Sequence, residues 1–176
     1  MSRRVMAMGL VLVLLLLPVM FGGWQKTETK AAYVLNKKVA DLECRVWMST
    51  AKGLPVGLKS SFDVTTSSWV FNATKTIRDH VNTQYLEVKA IGFSVSLSVS
   101  NSGAGAGTTL SQTSNTATFT TAKANNYYRG FNSYNNIANS GAFSTCRTIN
   151  AYSKMSVYLD GQPFSNQAHT WQLDRI

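Results

Sequence analysis

Side chains able to make or break bonds are few in this chain and far apart. His80 and His169 are its only histidines, Cys44 and Cys146 its only cysteines, and its acidic residues are scattered. A nucleophilic hydrolase sets a serine or cysteine beside a histidine that a third group orients, often at a turn of the form G-x-S-x-G. No such match occurs, and neither cysteine carries a local signature of reactivity. Zinc wants several Cys or His at close spacing, which two distant histidines do not supply. Calcium wants clustered carboxylates, whereas Asp41, Glu43, Asp63, Asp79, Glu87, Asp160 and Asp174 are dispersed. Folding could still bring two of these together as a glycosidase pair, so an unrecognised secreted hydrolase stands as a third reading. The sequence implies no metal and no cofactor, and the glycines from Gly103 to Gly107 lack the following helix and Lys-Ser or Lys-Thr of a phosphate cradle.

Binding chemistry is better represented. Between Ala124 and Gly141, Asn125, Asn126, Asn132, Asn135, Asn136 and Asn139 alternate with Tyr127, Tyr128, Phe131 and Tyr134. Aromatic faces, amides and the cation of Arg129 are the groups that hold sugar rings or polar polymers. Asparagine and glycine at this density favour turns, so the segment reads as an irregular surface loop. The binding candidates are Tyr127, Tyr128, Arg129, Phe131 and Tyr134.

A second candidate is the stretch from Ile91 to Thr121. Phe93, Val95, Leu97 and Val99 alternate with Ser94, Ser96, Ser98 and Ser100 at the strand period of two. The glycines of residues 103 to 107 then make a hairpin tip, and a return strand from Leu110 to Thr121 carries Phe119. Membrane-barrel strands need about 9 to 11 residues, apolar toward lipid and polar toward the lumen. The stretch resembles the insertion hairpins of aerolysin-type pore-forming toxins over about thirty residues. That resemblance implies a membrane-damaging protein in which Phe93, Val95, Leu97, Val99 and Phe119 meet lipid. The return strand, polar on both faces from Ser111 to Thr116, suits a sandwich strand with a hydroxylated outer face better.

The elements that must position these groups are strands. Leu42, Cys44, Val46 and Met48 alternate with Glu43, Arg45 and Trp47, which turns Cys44 inward. Phe62 to Asn72 and Gln84 onward read as strands, while Thr74 to Asn82 has Ile77 and Val81 four apart and suits a short helix. Met155, Val157 and Leu159 lead to Asp160-Gly161, a favoured two-residue hairpin turn. The return strand puts His169, Trp171 and Leu173 on one face and Thr170, Gln172 and Asp174 on the other. Short strands at even spacing with little helix predict an all-β fold, an antiparallel β-sandwich or a partly open barrel.

Arg3 and Arg4 followed by the apolar run from Val5 to Phe21 form the n- and h-regions of a cleaved secretory signal helix. Thr29-Lys30-Ala31 suits cleavage, with a long c-region like that of Gram-positive signals. The expected organisation is a signal peptide over 1–31 and a single extracellular domain over 32–176. The full chain carries +9; without Arg3, Arg4, Lys26, Lys30 and Glu28 it keeps 13 basic and 7 acidic residues, or +6. A basic balance favours anionic partners, although no basic run of the nucleic-acid kind is present. In an oxidising compartment Cys44 and Cys146 are expected to form a disulfide worth about 4 to 5 kcal/mol by loop-closure entropy. Together these features read as a secreted or cell-surface, non-enzymatic protein that binds a wall polysaccharide or another anionic envelope polymer, with membrane contact as the alternative.

Overall fold

The computed structural model describes residues 23–53, 59–90, 95–101, 108–139 and 146–175. Eleven strands are present among them: β1 (Gly23–Val34), β2 (Lys37–Ser49), β3 (Lys52–Gly53), β4 (Lys59–Phe71), β5 (Ile77–Ala90), β6 (Val95–Asn101), β7 (Thr109–Gln112), β8 (Thr116–Thr120), β9 (Tyr128–Asn139), β10 (Cys146–Leu159) and β11 (Gln162–Arg175). Every pairing is antiparallel. One sheet runs β1-β2-β4-β9-β6 with β3 beside β4, and the other runs β11-β10-β5-β8-β7. The sheets pack face to face, with β1 and β2 against β11, β4 against β10, β9 against β5, and β6 against β8. This is the β-sandwich that the alternating sequence predicts.

Inward positions obey the two-residue period. Leu42, Cys44, Val46 and Met48 of β2 are buried together with Leu86 and Val88 of β5 and Ile149, Met155, Val157 and Leu159 of β10. Phe119 of β8 stacks on Phe131 of β9 with ring centres 4.6 Å apart. Between the apolar clusters lies a seam of buried polar side chains. Across the two sheets Asn82 Nδ2 donates to Thr66 Oγ1 at 3.1 Å, Gln84 Nε2 donates to the Val64 carbonyl at 3.1 Å and Ser133 Oγ donates to Gln84 Oε1. Ser153 Oγ lies 3.1 Å from both the Ser67 carbonyl and Asn82 Oδ1, and His80 Nε2 lies 2.9 Å from Ser68 Oγ. Buried polar groups are tolerated only when satisfied in this way. Toward the other side Arg147, fully buried, ion-pairs with Asp174 and donates to Ser60 Oγ at 2.6 Å.

β5 contains the departure from regularity that shapes one end of the molecule. Ser156 faces Val81 but Tyr158 faces Arg78, so β5 has one extra residue there, and Asp79 takes a φ of 50°. The bulge lets Ile77 and His80, three apart, both turn inward, which strict alternation forbids. The short helix expected over Thr74 to Asn82 is not formed: from Ile77 the segment is β5, in which Ile77 packs against the core while Val81, between the buried His80 and Asn82, does not. The segment 124–126 pins the bulge, with mutual backbone bonds between His80 and Ala124, Asn125 Oδ1 accepting from the Asp79 N–H at 3.1 Å, and the Asn126 carbonyl 2.8 Å from His80 Nδ1.

Several expectations are corrected. The stretch from Tyr128 to Asn139 is not an irregular loop but β9, an interior strand paired with β4 and β6; its asparagines pay their turn preference because alternate residues are buried. The hairpin expected from Ile91 to Thr121 is not formed, because β6 pairs with β9 in one sheet while β8 pairs with β5 in the other. The glycines of residues 103–107 and Phe93 lie outside the described residues. Cys44 is a free, buried thiol. It meets Ser153 and the backbone of Met155, and burial pushes its pKa up to about 12. Cys146 begins β10, so at ~3.3 Å per residue the backbone at Cys146 lies about 23 Å up the strand from Ser153, far beyond the ~7 Å Cα separation that a disulfide spans. The Cys44–Cys146 bridge is therefore absent. The apolar run to Phe21, on which the signal-peptide expectation rests, lies outside the described residues. Gly23 to Ala31 pair with β2, and the side chain of Asn166 in β11 donates to the Glu28 and Leu42 carbonyls at 2.9 Å each.

Two measurements check this description. A dithiol reductant should leave the thermal midpoint unchanged, whereas loss of a disulfide costs about 2 to 5 kcal/mol and would lower it by many degrees. The seam predicts acid sensitivity. Burial lowers the His80 pKa from its usual 6.5, so the unfolded chain takes up the proton first. Stability is then fully present above about pH 6.5 and lost as pH falls below it. The midpoint should drop between pH 7 and 5, and His80→Gln should flatten that slope.

Candidate binding site

Four connections meet at one end of the sandwich: the turns at 35–36, 72–76 and 160–161 and the segment 121–127. The Thr74 N–H donates to the Val39 carbonyl at 2.9 Å, Lys75 Nζ lies 2.8 Å from Asp160 Oδ2, and the Val70 N–H donates to the Tyr127 carbonyl at 2.9 Å. Asn72 adopts a φ of 51°, a conformation asparagine tolerates, and closes β4 so that the chain can fold back into β5. Arg129 braces the segment from beneath, its guanidinium donating to the Ala122 carbonyl and to Thr121 Oγ1.

The 72–76 turn, the start of β5 and the 121–127 segment enclose an open cleft of about 820 Å³ lined by Val70, Ala73, Lys75, Thr76, Ile77, Arg78, Asp79, Asn125 and Tyr127. Tyr127 is 63% exposed, so its ring is presented to whatever enters. Lys75 is paired with Asp160, and Asp79 with Lys123 at 3.3 Å. Arg78, in contrast, has no ion-pair partner among the described residues, which leaves the cleft positive. Beside it, Lys38 Nζ at 2.7 Å and the Asn72 amide at 3.0 Å hold the Asp41 carboxyl below its usual range. An aromatic ring, a guanidinium and an amide within one hollow can seat a polar ring bearing a negative group; Thr76 and Asp79, the latter bridged to Lys123, line the same hollow.

The structure divides the binding candidates. Tyr127 lines the cleft. Tyr128, opposite Trp69, points outward, its ring 4.3 Å from that of Trp69, and Trp69 lies parallel to Phe71 at 5.7 Å. Gly130 leaves room for that ring, since a Cβ there would lie 2.3 Å from the Tyr128 hydroxyl and would displace it. Tyr134 is exposed farther along β9, opposite Asp63, away from the cleft. Arg129 is a half-buried brace of the 121–127 segment, and Phe131 is a core residue 4% exposed. Of the membrane-hairpin candidates, Leu97 and Phe119 are core residues of different sheets and Val99 packs against the core; only the backbone of Val95 is described, paired with Asn139.

Lys75 and Arg78 were not legible in the sequence, because the bulge and turn that gather them with Asn125 leave no periodic trace. A second aromatic group was equally illegible. Tyr85, Tyr152 and His169 form one cross-strand row on the outer face of the other sheet. His169 and Tyr152 stack at 4.1 Å and Lys154 Nζ sits 5.0 and 5.4 Å from the two tyrosine rings. This row satisfies itself, its rings covering one another. The Ser68–His80 pair is fully buried, and the acceptor at His80 Nδ1 is a backbone carbonyl, so the pair presents no nucleophile to solvent. Among the described residues no three of His, Cys, Asp or Glu gather as a metal site.

No protein-family model matches the chain, and no curated protein matches its sequence. Solved structures similar to it include a collagen-binding domain from a Staphylococcus aureus adhesin, at 10% identity and a TM-score of 0.36, covering 67% of this chain and 93% of that one. The GAE domain of GGA2p from Saccharomyces cerevisiae is similar at 9% identity and a TM-score of 0.32, covering 82% and 97%. A structure described as a pore forming protein is similar at 9% identity and a TM-score of 0.31, covering 85% and 89%. Likenesses this distant assign no function.

Proposed function

We propose that the chain is a non-enzymatic binding module of the cell exterior that holds an anionic polysaccharide or similar envelope polymer in the cleft between the β4–β5 turn and the 121–127 segment. The observation that carries this reading is the exposed Tyr127 ring set beside the unpaired Arg78 and the Asn125 side chain in one open hollow. Stacking on the ring orients a sugar, and the guanidinium selects a carboxylate or phosphate. Lys75 and Lys123 are already bridged to Asp160 and Asp79, so Arg78 is the cation of the cleft left to meet the ligand. The N-terminal n- and h-regions support a position outside the cell, and the basic balance of the chain suits an anionic ligand.

Retention on an acidic wall-polysaccharide matrix tests the proposal. Tyr127→Ala and Arg78→Ala should each weaken retention by about tenfold, equivalent to ~1.4 kcal/mol, and added salt should weaken it further. Tyr134→Ala, remote from the cleft, should not. All three variants should keep the parental thermal midpoint, whereas Phe131→Ala should unfold the core. Unchanged retention in both cleft variants would refute the cleft as the site.

A further inference from the structure

The tip shared by β1 and β2 has features that the fold itself does not require. Leu35 is 91% exposed, the most exposed of the large hydrophobic side chains described. It occupies the first position of a two-residue turn closed by the Val34–Lys37 pair, with φ values of 47° at Leu35 and 63° at Asn36. Such turns favour asparagine, aspartate or glycine, and a bulky residue in the left-handed region is strained. Leucine here costs conformational energy and hides no surface. Strain joined to exposure at one position points to a role outside folding.

The surroundings indicate what the leucine meets. Tyr33, 58% exposed, stands beside it, and Val34, Pro163 and Phe164 line a shallow hollow of about 490 Å³ between this tip and the β10–β11 turn. Lys37 and Lys38 follow directly. Lys38 is bridged to Asp41, but Lys37, like Arg78 at the same end, has no ion-pair partner among the described residues. An apolar protrusion, a tyrosine and uncompensated cations are the parts of a segment that rests in the interface of a negatively charged bilayer, with the apolar tip among the acyl chains and the cations at the headgroups. A protein partner would need a broad complementary surface, about 800 Å² on each side, and a single leucine at a convex hairpin tip does not offer one.

We infer that the Leu35 tip docks this end of the sandwich on an anionic lipid surface, as a peripheral contact in which no strand crosses the bilayer. This goes beyond the polymer reading and does not depend on it, since Leu35 lies outside the cleft. The test places an environment-sensitive fluorescent amino acid at Asn36 in the full chain, so that the signal reports the tip whatever the N-terminal segment does. Vesicles of phosphatidylcholine with phosphatidylglycerol should shift its emission to the blue, and vesicles of phosphatidylcholine alone should not. Leu35→Asn should raise the lipid concentration needed by about tenfold or more. Because asparagine suits the left-handed turn, the same variant should melt at or above the parental temperature, which separates lost docking from lost folding. Retention on the polysaccharide matrix should be unchanged in Leu35→Asn. No blue shift with the anionic vesicles, an equal shift on neutral ones, or a shift indifferent to Leu35→Asn would each overturn the inference. A shift produced by the wall polymer in place of lipid would also overturn it, and would assign the tip to the polymer.

Discussion

The two sheets are held in register by hydrogen bonds that cross the interior between named side chains, and everything else about this molecule depends on that seam. Asn82 with Thr66, His80 with Ser68, Gln84 with Ser133 and Ser153 with the Ser67 carbonyl join β5 and β10 to β4 and β9. Gln172 with the Ser49 carbonyl and Arg147 with Ser60 extend the stapling toward β2 and the far end of β4. Each such bond contributes only ~0.5–1.5 kcal/mol net, but a buried partner left unmet costs ~1–3 kcal/mol. The seam therefore adds little to the driving force while making alternatives expensive. A one-residue slip of any strand would turn these groups to the wrong face and leave their partners unsatisfied. Stapling of this kind takes the place of the covalent bridge that two cysteines suggest.

The same seam explains the shape of the cleft end. His80 must face inward to reach Ser68, and Ile77 must also pack inward. Both demands are met only by the bulge at Asp79, which in turn needs the 124–126 segment to satisfy its backbone. That segment carries Asn125 and delivers Tyr127 to the cleft, and the bulge presents Arg78 and Asp79 to it. Core satisfaction and site construction are thus one arrangement. Positive φ angles at Leu35, Asn36, Asn72 and Asp79 collect at this end, where residues that contact ligands concentrate in β-sandwiches because loops and turns are free of the ladder's constraints.

Legibility from sequence followed the physics of periodicity. Strands whose inward residues are apolar, such as Leu42 to Met48 in β2 and Met155 to Leu159 in β10, announce themselves, as does the Asp160-Gly161 turn, whose φ values of 54° and 76° are those the dipeptide favours. Strands whose inward residues are polar do not. β9 buries Ser133 and Asn135, so its asparagines look like loop residues, and only the partners across the sheet reveal otherwise. Adjacency in sequence also misled: β6 and β7 lie on either side of a glycine run in the sequence yet belong to different sheets. Tyr127 and Tyr128 were identifiable as exposed aromatics. Arg129 and Phe131, their immediate neighbours, differ from them in the face on which they fall and in the work they do, and face depends on register.

The central claim is that ligand recognition resides at the end where the β4–β5 turn meets the 121–127 segment. Backbone amide exchange, followed residue by residue with and without soluble fragments of acidic wall polysaccharide, tests it most directly. The account predicts slowed exchange confined to residues 72–79 and 123–128, with the outer rows of Tyr134 and of Tyr85, Tyr152 and His169 unaffected. Protection centred on either of those rows, with none at the cleft, would contradict it.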